Sequence, residues 1–168
     1  MANRADPAVK AGSGHEPSRD ATLRSFTGYS MKRAFHAIQA DLKDVLEPFG
    51  LRMLTFSALV VIVDNPGLRQ AELADALVIE RPNMVLIVDQ LVEAGLISRA
   101  PAEGDRRAYA LRPTEEGCAL YQRATAAVRA HDERMTKNLD EEKRQLLVSA
   151  LGLIEAVQWE EDDNGERS

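Results

Sequence analysis

The stretch from Leu68 to Thr114 constrains the fold more than any other part of the chain: LRQAELADALVIERPNMVLIVDQLVEAGLISRAPAEGDRRAYALRPT. Leu73 and Leu77 lie four apart with Ala74 and Ala76 beside them, so a helix over Gln70–Leu77 has one small, apolar face. Small side chains permit the close crossing that a helix-turn-helix needs. Val78-Ile79-Glu80 forms the turn. Pro82 suits the first turn of the next helix, where its missing N–H has no intrahelical partner to lose. Met84, Ile87, Val88 and Leu91 then recur at helical spacing through Glu93, and Gly95 supplies a C-terminal stop.

Beyond Gly95, Leu96–Arg99 reads as a short strand. Pro101 to Asp105 reads as a turn, and Ala108–Leu111 as the return strand. Helix, turn, helix and hairpin, in this order, make a winged helix-turn-helix. The fold class is therefore mainly α with a small β-hairpin wing, flanked by further helices. The second motif helix turns Arg81, Pro82, Asn83, Val85, Leu86 and Gln90 outward. In a groove-reading helix, Asn and Gln pair with adenine edges and apolar side chains meet thymine methyls. Val85 and Leu86 fit that contact; they equally fit burial against a neighbouring element. The wing tip presents Asp105, Arg106 and Arg107. Arginine on such a tip suits the minor groove, and an aspartate repelled by phosphate is suited to orienting it.

QAELADAL, a helix ending LVEAGLI, then GDRR and Thr114 together resemble the MarR family of multiple-antibiotic-resistance regulators. The similarity spans about residues 24–158 and is strongest over 68–117. The resemblance implies a helical homodimer with two winged modules on pseudo-palindromic double-stranded DNA, commonly released by a small ligand. It implies a repressor whose effector is an aromatic acid or its coenzyme A thioester. Phe35, His36, Arg52, Met53 and Phe56 would then line the effector site where the first two helices meet. Four positions depart from the family pattern. Arg69 replaces a threonine, which leaves the first motif helix without a side-chain cap. Val78 replaces a turn glycine, Leu86 a frequent arginine and Pro113 a leucine, so operator sequence does not carry over.

The rest of the chain supplies the flanks. Residues 1–22 are rich in Pro, Gly, Ser and Ala and read as a disordered arm, which includes His15. One helix from Thr22 or Leu23 to Leu46, within a segment 23–48, shows Met31, Phe35, Ile38, Leu42, Val45 and Leu46 on one face and reads as a dimerisation helix. Pro48-Phe49-Gly50 ends it. The winged module is placed at 49–113. Its opening helix, Leu51–Asp64, is apolar nearly all round and is expected to be buried. Thr114 caps a helix running to about Lys137, and Asp140 starts a last one. These lie in a dimerisation segment, 114–159, that ends on Trp159. An acidic tail follows at 160–168.

Charge narrows the partners. The net charge is −6. Six acids and one arginine from Glu155 to Ser168 contribute −5, leaving −1 elsewhere (−6 minus −5). A near-neutral body argues against indiscriminate nucleic-acid binding and predicts a moderate salt dependence. No run of about 18 apolar residues and no apolar leader core occur, so a cytoplasmic location without membrane contact is expected. The single Cys118 precludes an internal disulfide. There is no Gly-rich phosphate loop, no histidine–carboxylate pair at metal spacing and no cysteine–histidine set. The expectation is no enzyme, cofactor or metal. The competing readings are a winged helix that binds protein, or an activator without a small-molecule effector.

Overall fold

The computed structural model describes residues 19–102 and 105–156, without the side chains of 102–108. The chain divides into two compact units, Met1–Ala37 and Ile38–Ser168. His15, most of the N-terminal arm, Trp159 and the acidic tail lie outside the described residues.

In the first unit, the single helix expected from Thr22 or Leu23 is broken. α1 covers Ala21–Arg24 and α2 covers Thr27–Leu46, the latter continuing into the second unit. The cause is local: Ser25 Oγ donates to Thr22 O at 2.7 Å, and the amides of Ser25 and Phe26 bond only three residues back. Such competing bonds close a helix. Asp20 spans the break, accepting from Arg24 Nε at 2.9 Å and Tyr29 OH at 2.9 Å, with an Arg33 guanidinium nitrogen at 3.4 Å. Among the described residues, a turn at Arg19 and Asp20 leads directly into α1.

In the second unit, a short 3-10 turn at Glu47–Phe49 ends α2. α3 covers Met53–Asp64, starting two residues after the expected Leu51 because Arg52 is extended. Thr55 Oγ1 accepts the Arg52 N–H at 2.9 Å and donates back to Arg52 O at 3.0 Å. α4 covers Gln70–Ala76. As expected, the Arg69 side chain makes no cap bond; Glu72 Oε2 accepts the Arg69 N–H at 2.6 Å. A guanidinium accepts no bond, so this is the carboxylate half of a capping box working alone.

α5 covers Arg81–Glu93, with proline in its first turn as expected. It ends in a Schellman pair, Leu96 N to Leu91 O at 3.0 Å and Gly95 N to Val92 O at 2.9 Å, with Gly95 at φ +71°. β1 covers Ile97–Ala102 and β2 covers Asp105–Pro113, paired antiparallel from Ile97–Pro113 to Pro101–Tyr109. Both strands outrun their expected lengths, and Pro101 lies in β1 rather than in the turn. Among the described residues β1 pairs with β2 alone, and its register shifts just after Pro101, so the missing N–H is tolerated there.

α6 covers Glu115–Met135 and α7 covers Glu141–Ala156. Thr114 caps α6 through Gly117 N at 3.0 Å, and Asp140 caps α7 through Lys143 N at 2.9 Å. The core joins Leu46, Leu59, Ile62, Leu73, Met84 and Leu91 with Leu111 of the wing. α3 is its centre, packed against α5, α6 and β2. Within the single chain its buried residues are Thr55, Ala58, Leu59 and Ile62, while Leu54 is exposed. Among the described residues α7 buries none of its own. Among the described residues no single helix is long and apolar enough to cross a membrane.

Candidate nucleic-acid interface

The helix-turn-helix is set by α4, a turn and α5. The turn places Val78 at φ +51°, a left-handed conformation that a β-branched residue rarely adopts. Ile79 N reaches back to Ala74 O at 2.9 Å and closes the turn. Leu73 and Ala74 of α4 and Met84, Ile87, Val88 and Leu91 of α5 are buried between the elements. That burial fixes which face of α5 is left out: Arg81, Pro82, Asn83, Val85, Leu86 and Gln90 are all exposed. Val85 is 41% and Leu86 61% exposed, so among the described residues neither is buried against a neighbour. Gln70 and Ala71 of α4 face Arg81, Pro82 and Val85 of α5 across a notch of about 330 Å³.

The wing is tied to this surface twice. Arg99 of β1 pairs with Asp89 of α5. On the far edge of β2, Leu111 N donates to Leu68 O at 2.9 Å and Gly67 N to Leu111 O at 2.7 Å, with a bridge between Arg69 and Ala110. The hairpin is thereby held to the segment that enters α4. Asp105, Arg106 and Arg107 fall in the first residues of β2, past the register shift; their side chains lie outside the described residues.

The expected effector residues are distributed as follows. Phe35, 51% exposed, and His36, also exposed, belong to the first unit on α2. In the second unit, Arg52 is exposed at the start of α3, Met53 is half-buried, and Phe56 packs partly buried against the core. Arg52 also lines a cavity of about 250 Å³ with Gly50, Leu51, Gln90, Leu91 and Ala94.

Three relationships had no signal in the sequence. Asp41 of α2 faces α6: its Oδ2 pairs with Arg134 and lies 3.2 Å from Nε2 of His131, a distance for ion pairing but not aligned as a hydrogen bond. His131 is only 3% exposed. Tyr121 of α6 donates to Asp64 Oδ1 at 3.1 Å. That hydrogen bond, and then the carboxylate's charge, raise the phenol above its ordinary 10.0. The Asp89–Arg99 pair is the third. Cys118 is a half-buried free thiol. Among the described residues no cluster of His, Cys, Asp and Glu is arranged to hold a metal ion.

Comparison with known proteins agrees with this geometry. Residues 49–108 match the model of the MarR family. A Thauera aromatica protein described as a regulatory protein for the hcr operon is 38% identical over 74% of this chain and 75% of its own length. The repressor Rv2887 of Mycobacterium tuberculosis is 31% identical over 67% of this chain and 81% of its own length. Its structures include a complex with DNA (TM-score 0.65) and one with p-aminosalicylic acid (TM-score 0.62); each covers 77% of this chain at 27% identity, with 97% and 98% of the Rv2887 chain matched. The transcriptional repressor CouR, bound to a 23-mer DNA duplex, superposes with a TM-score of 0.76 at 34% identity over 84% of this chain and 99% of that one. CouR bound to p-coumaroyl-CoA gives 0.73 at 32%, over 83% and 97%.

A helix-turn-helix with an exposed second helix and a hairpin wing defines a winged-helix DNA reader. The chain belongs to the MarR family: it is a DNA-binding transcriptional repressor, not an enzyme.

Proposed function

We propose that two copies of this chain form a repressor that sets one α5 helix from each protomer into successive major grooves of a pseudo-palindromic operator. The observation that carries this reading is the exposed α5 face, Arg81, Asn83, Val85, Leu86 and Gln90, on a helix whose opposite face is locked into the core. Asn83 and Gln90 read adenine, Arg81 meets backbone phosphate, and Pro82 sets the helix start. Arg107 probes the flanking minor groove and Arg106 a phosphate, with Asp105 orienting them. Two-fold symmetry requires half-sites about one helical turn apart.

Dimerisation is supported by the apolar faces that a single copy leaves open: Phe35 and Ile38 on α2, and Leu146, Leu147, Leu151 and Ile154 on α7. Faces of this kind are covered in symmetric oligomers. The segments 23–48 and 114–159 are the dimerising parts and 49–113 the reading module, acting in the cytoplasm. The effector is an aromatic acid or its coenzyme A thioester, held by Phe35, His36, Arg52, Met53 and Phe56. The aromatic ligands of CouR and Rv2887 support this class. Such a ligand acts only through unequal affinity for the DNA-competent and released forms.

The test is fluorescence anisotropy of the full chain on the DNA upstream of its own gene. It is run at two salt concentrations with a panel of aromatic acids and their thioesters. Saturable, sequence-preferring binding that one compound abolishes is the expected result. Binding that no compound affects removes the effector; no binding at low salt removes the DNA reader.

A further inference from the structure

The exposed surface of α5 carries one charged residue, Arg81, over its first two turns. Arg81 sits at its first position, and the next turns expose Val85 and Leu86 at 41% and 61%. Val85 also lines the notch between α4 and α5, together with the apolar Ala71 and Pro82 and the polar Gln70 and Arg81. Exposing branched aliphatic side chains to water is unfavourable, and among the described residues none covers these two. In a major groove, the one apolar feature on a base edge is the methyl group on C5 of a pyrimidine. Asn83, two residues before Val85, carries the amide suited to adenine, the partner of thymine. Arg81, exposed at the start of α5, supplies the positive charge that a neighbouring phosphate requires.

We infer that the α4–α5 notch, with Leu86 beside it in sequence, is a C5-methyl reader: it takes the methyl group of thymine, or of 5-methylcytosine, in each operator half-site. The inference rests on the DNA-reading function proposed above and names what that surface recognises. The chain would then distinguish bases by burying a methyl group as well as by hydrogen bonds. It would also respond to cytosine methylation at the same position.

The test uses the full chain and duplexes carrying the footprinted upstream site. Each thymidine in turn is replaced by deoxyuridine, which removes the methyl group and leaves the Watson–Crick edge unchanged. Burial of one methyl group predicts about a fourfold loss of affinity at the critical position, and roughly fifteenfold when both half-sites are changed. At that position 5-methylcytosine should bind about fourfold tighter than cytosine. Val85→Ala and Leu86→Ala, whose folding is checked by thermal melting, should bind thymidine and deoxyuridine probes alike at that position. Uniform affinity across every deoxyuridine probe overturns the inference, as does full deoxyuridine sensitivity retained in both variants. Failure to bind the unmodified site removes the DNA-reading function itself, a distinguishable result.

Discussion

Gly117 lies so close to Leu96 that a Cβ on it would stand 1.9 Å from the Leu96 carbonyl oxygen and 2.9 Å from the carbonyl carbon. The contact joins the first turn of α6 to the start of β1. The Thr114 cap lies at the same place, its hydroxyl 2.7 Å from Gly95 O and 3.1 Å from Leu96 O. Thr114 N also donates to Leu96 O at 3.0 Å. The junction therefore sets where α6 leaves the winged module. The neighbour is backbone already hydrogen-bonded, so it cannot yield as a flexible side chain would.

Gly117→Ala is therefore expected to be severe despite adding a single methyl group and improving helix propensity. Overpacking against fixed backbone predicts a loss of about 3 kcal/mol, or a melting temperature lower by about 6–12 °C for a chain of this size. Thermal melting at matched protein concentration checks it. A shift of a degree or so would mean that α6 and β1 separate more easily than this contact implies.

Val78 points to a change in the opposite direction. Its φ of +51° places a β-branched side chain in the left-handed region, and it is 72% exposed, so burial returns little. Left-handed backbone costs an L residue roughly 1–2 kcal/mol. Glycine avoids that cost but adds about 0.5–1 kcal/mol of unfolded-state entropy. Val78→Gly is expected to stabilise by about 0.5–1 kcal/mol, visible as a higher denaturation midpoint with an unchanged slope. A lower midpoint would show that the Val78 side chain makes a compensating contact.

The sequence made the DNA-reading half legible because its signals are local. Pro82, Gly95 and the Leu73/Leu77 and Met84/Ile87/Val88/Leu91 periodicities each act within one turn of chain, and the elements appear where those residues put them. The misplacements have physical causes of the same short range. Ser25 turns its hydroxyl back on the helix and breaks it, Arg52 stays extended so α3 starts late, and Pro101 is accommodated on an edge strand. What could not be read was long-range pairing. Nothing in the run around Asp41 announces His131 and Arg134 on a helix far along the chain, and nothing in Gly117 names Leu96 as its neighbour. Gly117 does carry one usable hint: a glycine inside the first turn of an otherwise regular helix costs stability, and close backbone approach is a reason to keep it.

Two groups make local contacts pH-dependent: Tyr121 in its hydrogen bond to Asp64, and Asp140 in the cap of α7. Tyr121 is raised above 10.0 by its hydrogen bond to Asp64 and by that carboxylate's charge, with Arg129 opposing. A raised pKa stabilises the fold fully below the unfolded value, and the contribution is lost as pH rises through the folded one. Asp140 is held below 3.8 by hydrogen bonds from the Lys143 side chain and amide. Its contribution is present above 3.8 and is lost as pH falls through the folded value. Tyr121→Phe should therefore flatten the alkaline limb of a melting-temperature profile, and Asp140→Asn the acid limb, each leaving the other limb unchanged. Identical profiles for wild type and both variants would count against these assignments.

Asp89 is the one carboxylate on the inner turns of α5, and its pairing with Arg99 ties the reading helix to β1 of the wing. Both partners are partly exposed, 52% for the Asp89 side chain and 31% for Arg99, and exposed pairs contribute about 0–1 kcal/mol. Asp89→Asn should therefore leave the melting temperature within about 3 °C of wild type. Its effect on DNA should be larger. Removing the acid frees the Arg99 guanidinium for phosphate, so affinity for unrelated DNA should rise and the logarithmic salt slope should steepen by about one for each phosphate gained. Phosphate contacts carry no sequence information, so preference for the operator over unrelated DNA should fall even as total binding rises. Anisotropy titrations of both duplexes across a salt series separate the outcomes. A variant that loses operator affinity at every salt, with no gain on unrelated DNA, would mean instead that Asp89 holds the wing in place through Arg99.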